Sequence, residues 1–416
     1  MIYFIGNQPL LLDNNDIYQV STIEKCLEYF KDKSIIQVDT ETEGGKNSIP
    51  NPHTHKVLCL QLGDSNNQFV IDTSIYSISL FKSILEDKSK IKIFTNAFFD
   101  LRFLFHYGIF TENIYDCFLA EMLLTLGKDL EKGYRSLESM ANRYCNIKLN
   151  KEIRGQIHYR GVNDSTVIKY AAEDVTFMEK IMNCQLKLLE KDNLLNAIKL
   201  ENSFIRPLAY ISYKGFKVDP EKWLEVDKSN REKLKSIHEE LNQWVIKNNH
   251  KEFTAAGISG LLFEEFNNCI INWKSAKQTI PLFKKLGINL TVKDKKTSKD
   301  KDSVDIKSLK RQIEKSSILP TYIRYKELEK EISTYGEDFI KDNLNKVTKR
   351  IHSEFFPLAD TGRVNSSNPN LSNIPSTDEF GEMHPLRKCF ICEEGNNLII
   401  SDFSQQEPFD KGLIIN

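Results

Sequence analysis

From Ser21 to Asp116 the chain sets out strands first and then alternates them with helices. A Ser21-Thr22-Ile23-Glu24 capping box opens a helix whose apolar Ile23, Cys26, Leu27 and Phe30 fall at helical spacing. Strand-like runs follow at Ile35–Thr40, Val57–Gly63, Gln68–Asp72, Ile91–Thr95 and Ile114–Asp116, with helical segments between the later ones. That order predicts an α/β domain: a mixed sheet covered by helices. From about Asp116 to Leu189 the pattern is mostly helical.

The rest of the chain changes character twice. Leu200 to about Asn249 reads as long, charged helix broken at Gly215. Thr291–Asp305 is rich in Lys, Asp, Ser and Thr with almost no apolar residue, and predicts a loop or mobile tip. Leu309–Val347 returns to helix, and from His352 onward Gly, Pro, Asn and Ser punctuate short strands. At 416 residues two or three domains are expected. The pattern divides the chain near 190 and 348, into 1–190, 191–348 and 349–416, with no internal repeat.

Charge supports this division. Ile271–Arg350 holds 20 Lys and Arg against 11 Asp and Glu, a net of +9, so the remainder carries −10 within a chain of net −1. A basic middle beside an acidic remainder suits a surface that follows a phosphate backbone next to sites that hold metal ions; a solvated lysine-rich face is the plainer alternative. No apolar run reaches the length of a membrane span, and Met1–Gly6 lacks the plan of a signal peptide. No membrane partner is expected, and a cytoplasmic location is, in a bacterial or phage-infected cell. The eight scattered cysteines read as reduced thiols, and Cys389-Phe390-Ile391-Cys392 as strand residues without a second pair to complete a zinc site.

Three segments offer carboxylates on a single face. Asp39 and Glu41 end the first strand run two residues apart, so both project from one side of it. Asn96 and Asp100 are four apart on the helix expected after residue 95, with Phe99 between them. Tyr170 and Asp174 are likewise four apart, one above the other on a helix. Singly, each has an ordinary structural explanation, Asn96 as a helix cap and Tyr170 as a core aromatic. Together they suit hard divalent cations, which take oxygen ligands, and phosphodiester hydrolysis.

In this order the segments VDTETEG at 38–44, TNAFFDLRFL at 95–104 and YAAEDV at 170–175 resemble the DEDD superfamily of 3′→5′ exonucleases. Lys169 stands five before Asp174 and Tyr170 four before it, which resembles the tyrosine branch, home of polymerase proofreading domains and ribonuclease D. The resemblance implies a ribonuclease H-like fold for 1–190 and a site with two Mg²⁺ or Mn²⁺ ions. It implies that Asp39, Glu41 and Asp174 hold one ion, and that Asp39 bridges to a second with Asp100 as direct or outer ligand. Tyr170, helped by Glu41, would orient the attacking water, while Asn96, Phe99 and Leu101 would position the terminal nucleotides.

A second string, Thr361-Gly362-Arg363 through Asn368-Pro369-Asn370-Leu371-Ser372-Asn373-Ile374-Pro375, reads physically as a polar loop able to contact duplex backbone and minor groove. It closely resembles a segment of family A DNA polymerases, and Arg387 and Asn397–Glu407 resemble that family's next landmark, a palm strand with a catalytic aspartate. The resemblance spans about 20 to 408. It implies a helical thumb at 191–348 and an incomplete α+β palm at 349–416. It also implies DNA contacts from Lys277, Arg363, Asn370 and Asn373, metal and nucleotide binding at Asp402, and nucleotide binding at Glu407. The family's arginine is replaced by Phe409, and 410–416 matches nothing in the pattern.

The expected function is therefore metal-dependent 3′→5′ exonuclease action by part of a family A DNA polymerase, on single-stranded 3′ ends and primer-template duplex. Primer extension by this chain alone is not expected. The alternatives are a DNA-binding half completed by a second chain supplying fingers and the remaining palm, or an RNA-trimming nuclease like ribonuclease D.

Overall fold

The computed structural model describes residues 1–7, 17–44, 50–149, 153, 156–255, 268–293, 299–359, 361–377 and 381–400. The chain groups into two compact units: Met1–Phe216 with Asn345–Ile374, and Lys217–Leu344 with the segment beginning at Pro375. These breaks differ from the divisions near 190 and 348.

The first unit is built on seven strands: β1 (Ile2–Ile5), β2 (Gln19–Val20), β3 (Ile35–Thr42), β4 (Val57–Gly63), β5 (Gln68–Asp72), β6 (Ile91–Phe94) and β7 (Ile114–Asp116). Their order across the sheet is β2-β1-β5-β4-β3-β6-β7. β3, β4 and β5 pair antiparallel, while β6 and β7 join β3 in parallel on one side and β1 and β2 join β5 in parallel on the other. The mixed sheet expected from the strand order is present, and β1 and β2 are additions to it.

Helices cover the sheet: α1 (Ile23–Lys31), α2 (Lys82–Leu85), α3 (Ala97–His106), α4 (Cys117–Leu124), α5 (Leu137–Cys145), α6 (Ile157–Arg160), α7 (Ser165–Asp174), α8 (Met178–Lys191) and α9 (Leu195–Lys214). α1 starts one residue later than a Ser21 cap requires, because Thr22 is its N-cap and accepts from the Lys25 N–H at 3.3 Å. α3 is central, with eight of its ten residues buried, so its sequence is apolar almost all round. α9 stays with this unit because Ile198, Ile205, Leu208 and Ala209 join the core that holds Leu101, Leu104 and Phe105. Each buried Ile, Leu or Phe among these contributes about 1.5–3 kcal/mol relative to exposure. A hairpin of Glu354–Phe356 against Asn365–Ser367 completes the unit.

The second unit is mainly helical: α10 (Pro220–Lys247), α11 (Ala276–Lys285), α12 (Ile306–Lys310), α13 (Ile318–Tyr335) and α14 (Glu337–Asn343). Its core gathers Leu241, Trp273, Phe283, Leu309 and Tyr322. Three expectations are corrected here. Thr291–Lys293 and Asp300–Asp302 form an antiparallel ribbon within the presumed loop, its hydrogen bonds compensating for strands with little burial. Leu309–Val347 is helical through Asn343 as expected, carried by α12, a single 3-10 turn, α13 and α14, with breaks where Ser316 leaves helical geometry and Gly336 takes extended backbone. Cys389 closes a 3-10 turn over Arg387–Cys389 rather than lying in a strand, and Phe390 makes only an isolated bridge to Val218. Residues 397–400 likewise form no strand, and Ile399 is 88% exposed. All eight cysteines are free, and among the described residues no helix is long and apolar enough to cross a membrane.

Candidate functional site

β3 and α7 bring the acids together. Asp39 and Glu41 sit opposite Gln61 and Cys59 in the antiparallel pairing, and a bulge between Glu41 and Thr42 ends the regular register beside them. α7 begins at Asp164, whose carboxylate accepts from the Thr166 and Val167 N–H groups at 2.8 and 3.3 Å. That cap fixes the helix that carries Tyr170 and Asp174, each 4% exposed. One carboxylate oxygen from each of Asp39, Glu41 and Asp174 lies within 4.8 Å of the others, the one such convergence of acid, His or Cys side chains among the described residues. The concentration of negative charge reaches its neighbours: burial first, then Glu41 and Asp39, push the Cys59 thiol well above its ordinary range.

Asp100 lines the same cleft but stands outside that group. It is 2% exposed, and Thr40 donates its hydroxyl to Oδ1 at 2.6 Å. Burial pushes its pKa up to about 8; the Thr40 hydrogen bond opposes this and the Asp116 carboxylate adds to it. A cation beside Asp100 would favour its charged form.

Asn96 occupies the N-cap position of α3 with a left-handed φ of 70°, yet its side chain caps nothing. Asp116 takes that role from 20 residues away, accepting from the N–H groups of Asn96 and Ala97 at 2.9 and 2.8 Å. The same carboxylate accepts from Phe118 N–H at 2.8 Å at the start of α4. Two helix ends thus converge on one buried acid.

The cleft measures about 1070 Å³, and Asp39, Glu41, Asn96, Phe99, Asp100, Tyr170 and Asp174 all line it. Leu101 does not: it is fully buried in the core, so it cannot touch a terminal nucleotide and serves packing instead. Among the lining residues that escaped the sequence reading are Phe118, Lys132 and Arg135. Arg135 is held by hydrogen bonds to Thr125 Oγ1 and O at 2.9 and 3.3 Å. No periodic pattern marks these three; only their place after the Asp116 cap and before the Ser136 cap of α5 sets them there.

None of the other expected contacts among the described residues lines the cleft. Lys277 is exposed in the first turn of α11, in the second unit. Arg363, Asn370 and Asn373 are exposed in the first unit. There the Asn370 carboxamide oxygen accepts from Ser366 Oγ and the Asn373 N–H, both at 3.2 Å, so it helps build the turn. Asp402 and Glu407 lie outside the described residues.

The chain matches known families in two stretches: residues 15–190 match a 3′-5′ exonuclease family, and residues 225–408 match DNA polymerase family A. DNA polymerase I of Borreliella burgdorferi is 28% identical over 403 residues, 92% of this chain and 40% of that protein. That of Aquifex aeolicus is 26% identical over 410 residues, 92% of this chain and 60% of that one. This chain thus spans less than two thirds of either relative. Among solved structures, the POL domain of Pol1 from M. smegmatis, in complex with DNA primer-template and dNTP, aligns with a TM-score of 0.65 at 19% identity. It covers 94% of this chain and 59% of its own, a likeness of fold. One family is thus matched on each side of residue 200: the first stretch is similar to a 3′-5′ exonuclease family and the second to DNA polymerase family A.

Proposed function

We propose that this chain removes nucleotides from the 3′ end of DNA with the help of divalent cations. The observation that carries this reading is the convergence of Asp39, Glu41 and Asp174 oxygens within 4.8 Å in a cleft that also holds Asp100 and Tyr170. The donor set is all carboxylate, which fits Mg²⁺ or Mn²⁺ rather than a thiolate-seeking metal. Asp39, Glu41 and Asp174 would hold one ion, and Asp39 with Asp100 a second; such ions supply Lewis acidity and lower the pKa of bound water. Tyr170, on the same face of α7 as Asp174, orients the attacking water through its hydroxyl. Phe99 and Asn96 receive the terminal nucleotide, and Lys132 and Arg135 offer positive charge to the scissile phosphate.

Primer-template duplex is the proposed partner, with Lys277, Arg363, Asn370 and Asn373 as contacts. Asp402 and Glu407 are assigned to nucleotide binding on the family relation. The test is a 5′-labelled single strand incubated with the purified chain. Shortening from the 3′ end is expected in Mg²⁺ or Mn²⁺ and none in EDTA. Asp39→Ala should lower the rate by roughly a hundredfold or more, since several kcal/mol of charge stabilisation depend on the ions it holds, and Tyr170→Phe by less. Full activity in Asp39→Ala overturns the assignment. A matched RNA strand degraded in preference to DNA would favour the ribonuclease D-like alternative.

A further inference from the structure

Behind the aromatic residues of the cleft lies a buried cation that the exonuclease reading leaves unused. Arg102 is 6% exposed, one turn beyond Phe98 and Phe99 on α3. Its guanidinium carbon lies 4.8 Å from the Phe98 ring centroid and 5.8 Å from that of Phe99, which lines the cleft. A charge so deeply buried requires a partner. Its partner is Glu354, 252 residues along the chain, whose Oε1 accepts from Nη2 at 3.3 Å. Arg102 Nε has no hydrogen-bond partner among the described residues, so the ion pair is the anchor that orients the guanidinium plane.

Glu354 has a second attachment. Its Oε2 accepts from the Asn368 side-chain amide at 3.2 Å. Asn368 opens the Asn368-Pro369-Asn370 segment directly after the hairpin strand Asn365–Ser367. The hairpin itself is fixed in place: Ser353 Oγ donates to Pro369 O at 2.7 Å, and Ser212 Oγ of α9 donates to Ser353 O at 2.7 Å. Glu354 and Phe356 are two apart on one strand, so they share a face. Phe356 uses that face to meet the edge of Phe118, ring centroids 6.3 Å apart, and Phe118 is the other phenylalanine lining the cleft. One strand face therefore backs both phenylalanines of the cleft, Phe99 through Arg102 and Phe118 directly.

We propose that Arg102, Glu354 and Asn368 form a positioning relay that sets Phe99 and Phe118 for the terminal base and ties them to the loop at 368–373. These are positioning residues: none belongs to the acidic centre. A planar guanidinium held by a carboxylate keeps the Phe98 and Phe99 rings in one arrangement. Removing the Glu354 charge leaves Arg102 buried and uncompensated, and the aromatic residues lose their fixed backing. The relay acts on binding of the strand end, so its loss shows in KM rather than kcat.

The relay's effect on catalysis rests on the exonuclease reading, so the experiment separates the two. In the full chain, the ring resonances of Phe99 and Phe118 are compared by aromatic ¹³C NMR between wild type and Glu354→Gln, without DNA or metal. KM and kcat on a single strand with a 3′-terminal 2-aminopurine are measured for the same proteins, together with Mn²⁺ affinity. Both resonances should shift, KM should rise by about tenfold for a modest misplacement of the end, and kcat and Mn²⁺ affinity should stay close to wild type. Asn368→Ala, an exposed change that leaves the ion pair intact, should shift the same resonances in the same direction by less, and serves in place of Glu354→Gln if that protein fails to fold. Unchanged resonances overturn the relay, as does an unchanged KM in an active enzyme, or a fall in kcat alone. Resonances shifted in Glu354→Gln, with a wild-type chain that degrades no DNA, would uphold the relay and overturn the exonuclease reading.

Discussion

At the scale of single residues, identity and position carry different information. The acids Asp39, Glu41 and Asp174 were legible because a spacing of two on a strand, and of four from Tyr170 on a helix, selects a face, and a shared face is what a cation needs; Asp100 lines the same cleft although Asn96, four before it, is the left-handed cap and not part of the helix. Leu101 shows the limit of such reasoning. It lies next to Asp100 in sequence, yet one step along a helix turns it into the core, where it is fully buried. Leu101→Ala should therefore cost about 2–5 kcal/mol of stability, as for other buried leucines. Urea unfolding monitored by circular dichroism measures that loss. KM for a single strand, taken well below the unfolding transition, should stay near wild type. A stable Leu101→Ala protein with a raised KM would restore the residue to strand binding. The role of Asp116 at α3 was illegible for the opposite reason: its partners there are backbone N–H groups 19 and 20 residues away, and no side-chain pattern announces them.

Elements lock to one another through groups that no single element reveals. At the C-terminal end of α9, Ser212 and Tyr213 offer carbonyls to His352 Nδ1 at 3.0 Å and His53 Nε2 at 2.8 Å. His352 Nε2 accepts from Thr348 Oγ1 at 2.7 Å, so the neutral ring satisfies both its nitrogens. His53 stacks on Tyr213 at 4.7 Å and meets His352 at 4.6 Å and His106 at 5.9 Å. Burial pushes the His352 pKa down to about 4, with His53, Arg350 and Arg102 also opposing a proton, and burial lowers His53 as well. The folded state then binds fewer protons than the unfolded chain below the ordinary histidine value of 6.5. Stability from these rings is thus fully present above about pH 6.5 and is lost as pH falls toward about 4. Urea midpoints for wild type should drop across that window, and His352→Gln should shrink the drop; an equal drop in both proteins would remove His352 as its source. The strands β3–β7 were readable because burial imposes apolar runs on them. The ribbon at Thr291–Lys293 and Asp300–Asp302 was not: it buries almost nothing, so its residues follow solvent rather than a core.

Across the whole molecule, the proposed function would have the acidic cleft and the basic middle divide the work by charge. A cluster of carboxylates repels a polyanion until cations neutralise it, so on that proposal attraction for the rest of a DNA strand would come from other residues. Residues 271–350 carry a net of +9, which was legible by counting. What counting missed is that several of these cations are already paired: Lys284 with Asp302, Lys285 with Glu252, Lys310 with Glu327 and Lys326 with Glu329. Three of these acids already enter the net, so only the Lys285–Glu252 pair lowers it further; what the pairing decides is which lysines can meet a phosphate. Lys274 and Lys277 are exposed around the start of α11 and are better placed to act on DNA. Binding of a duplex with a recessed 3′ end, followed by fluorescence anisotropy in EDTA across a salt series, should weaken steeply as salt rises. Each phosphate neutralised adds about −0.9 to the slope of log affinity against log salt. Replacing Lys274 and Lys277 together by Ala should flatten the slope by up to about 1.8, two contacts' worth, while replacing Lys310 and Lys326, already held by carboxylates, should change it far less. A slope near zero in wild type, or equal flattening by the two double variants, would show the basic middle to be a solvated face and place the DNA grip elsewhere in the chain.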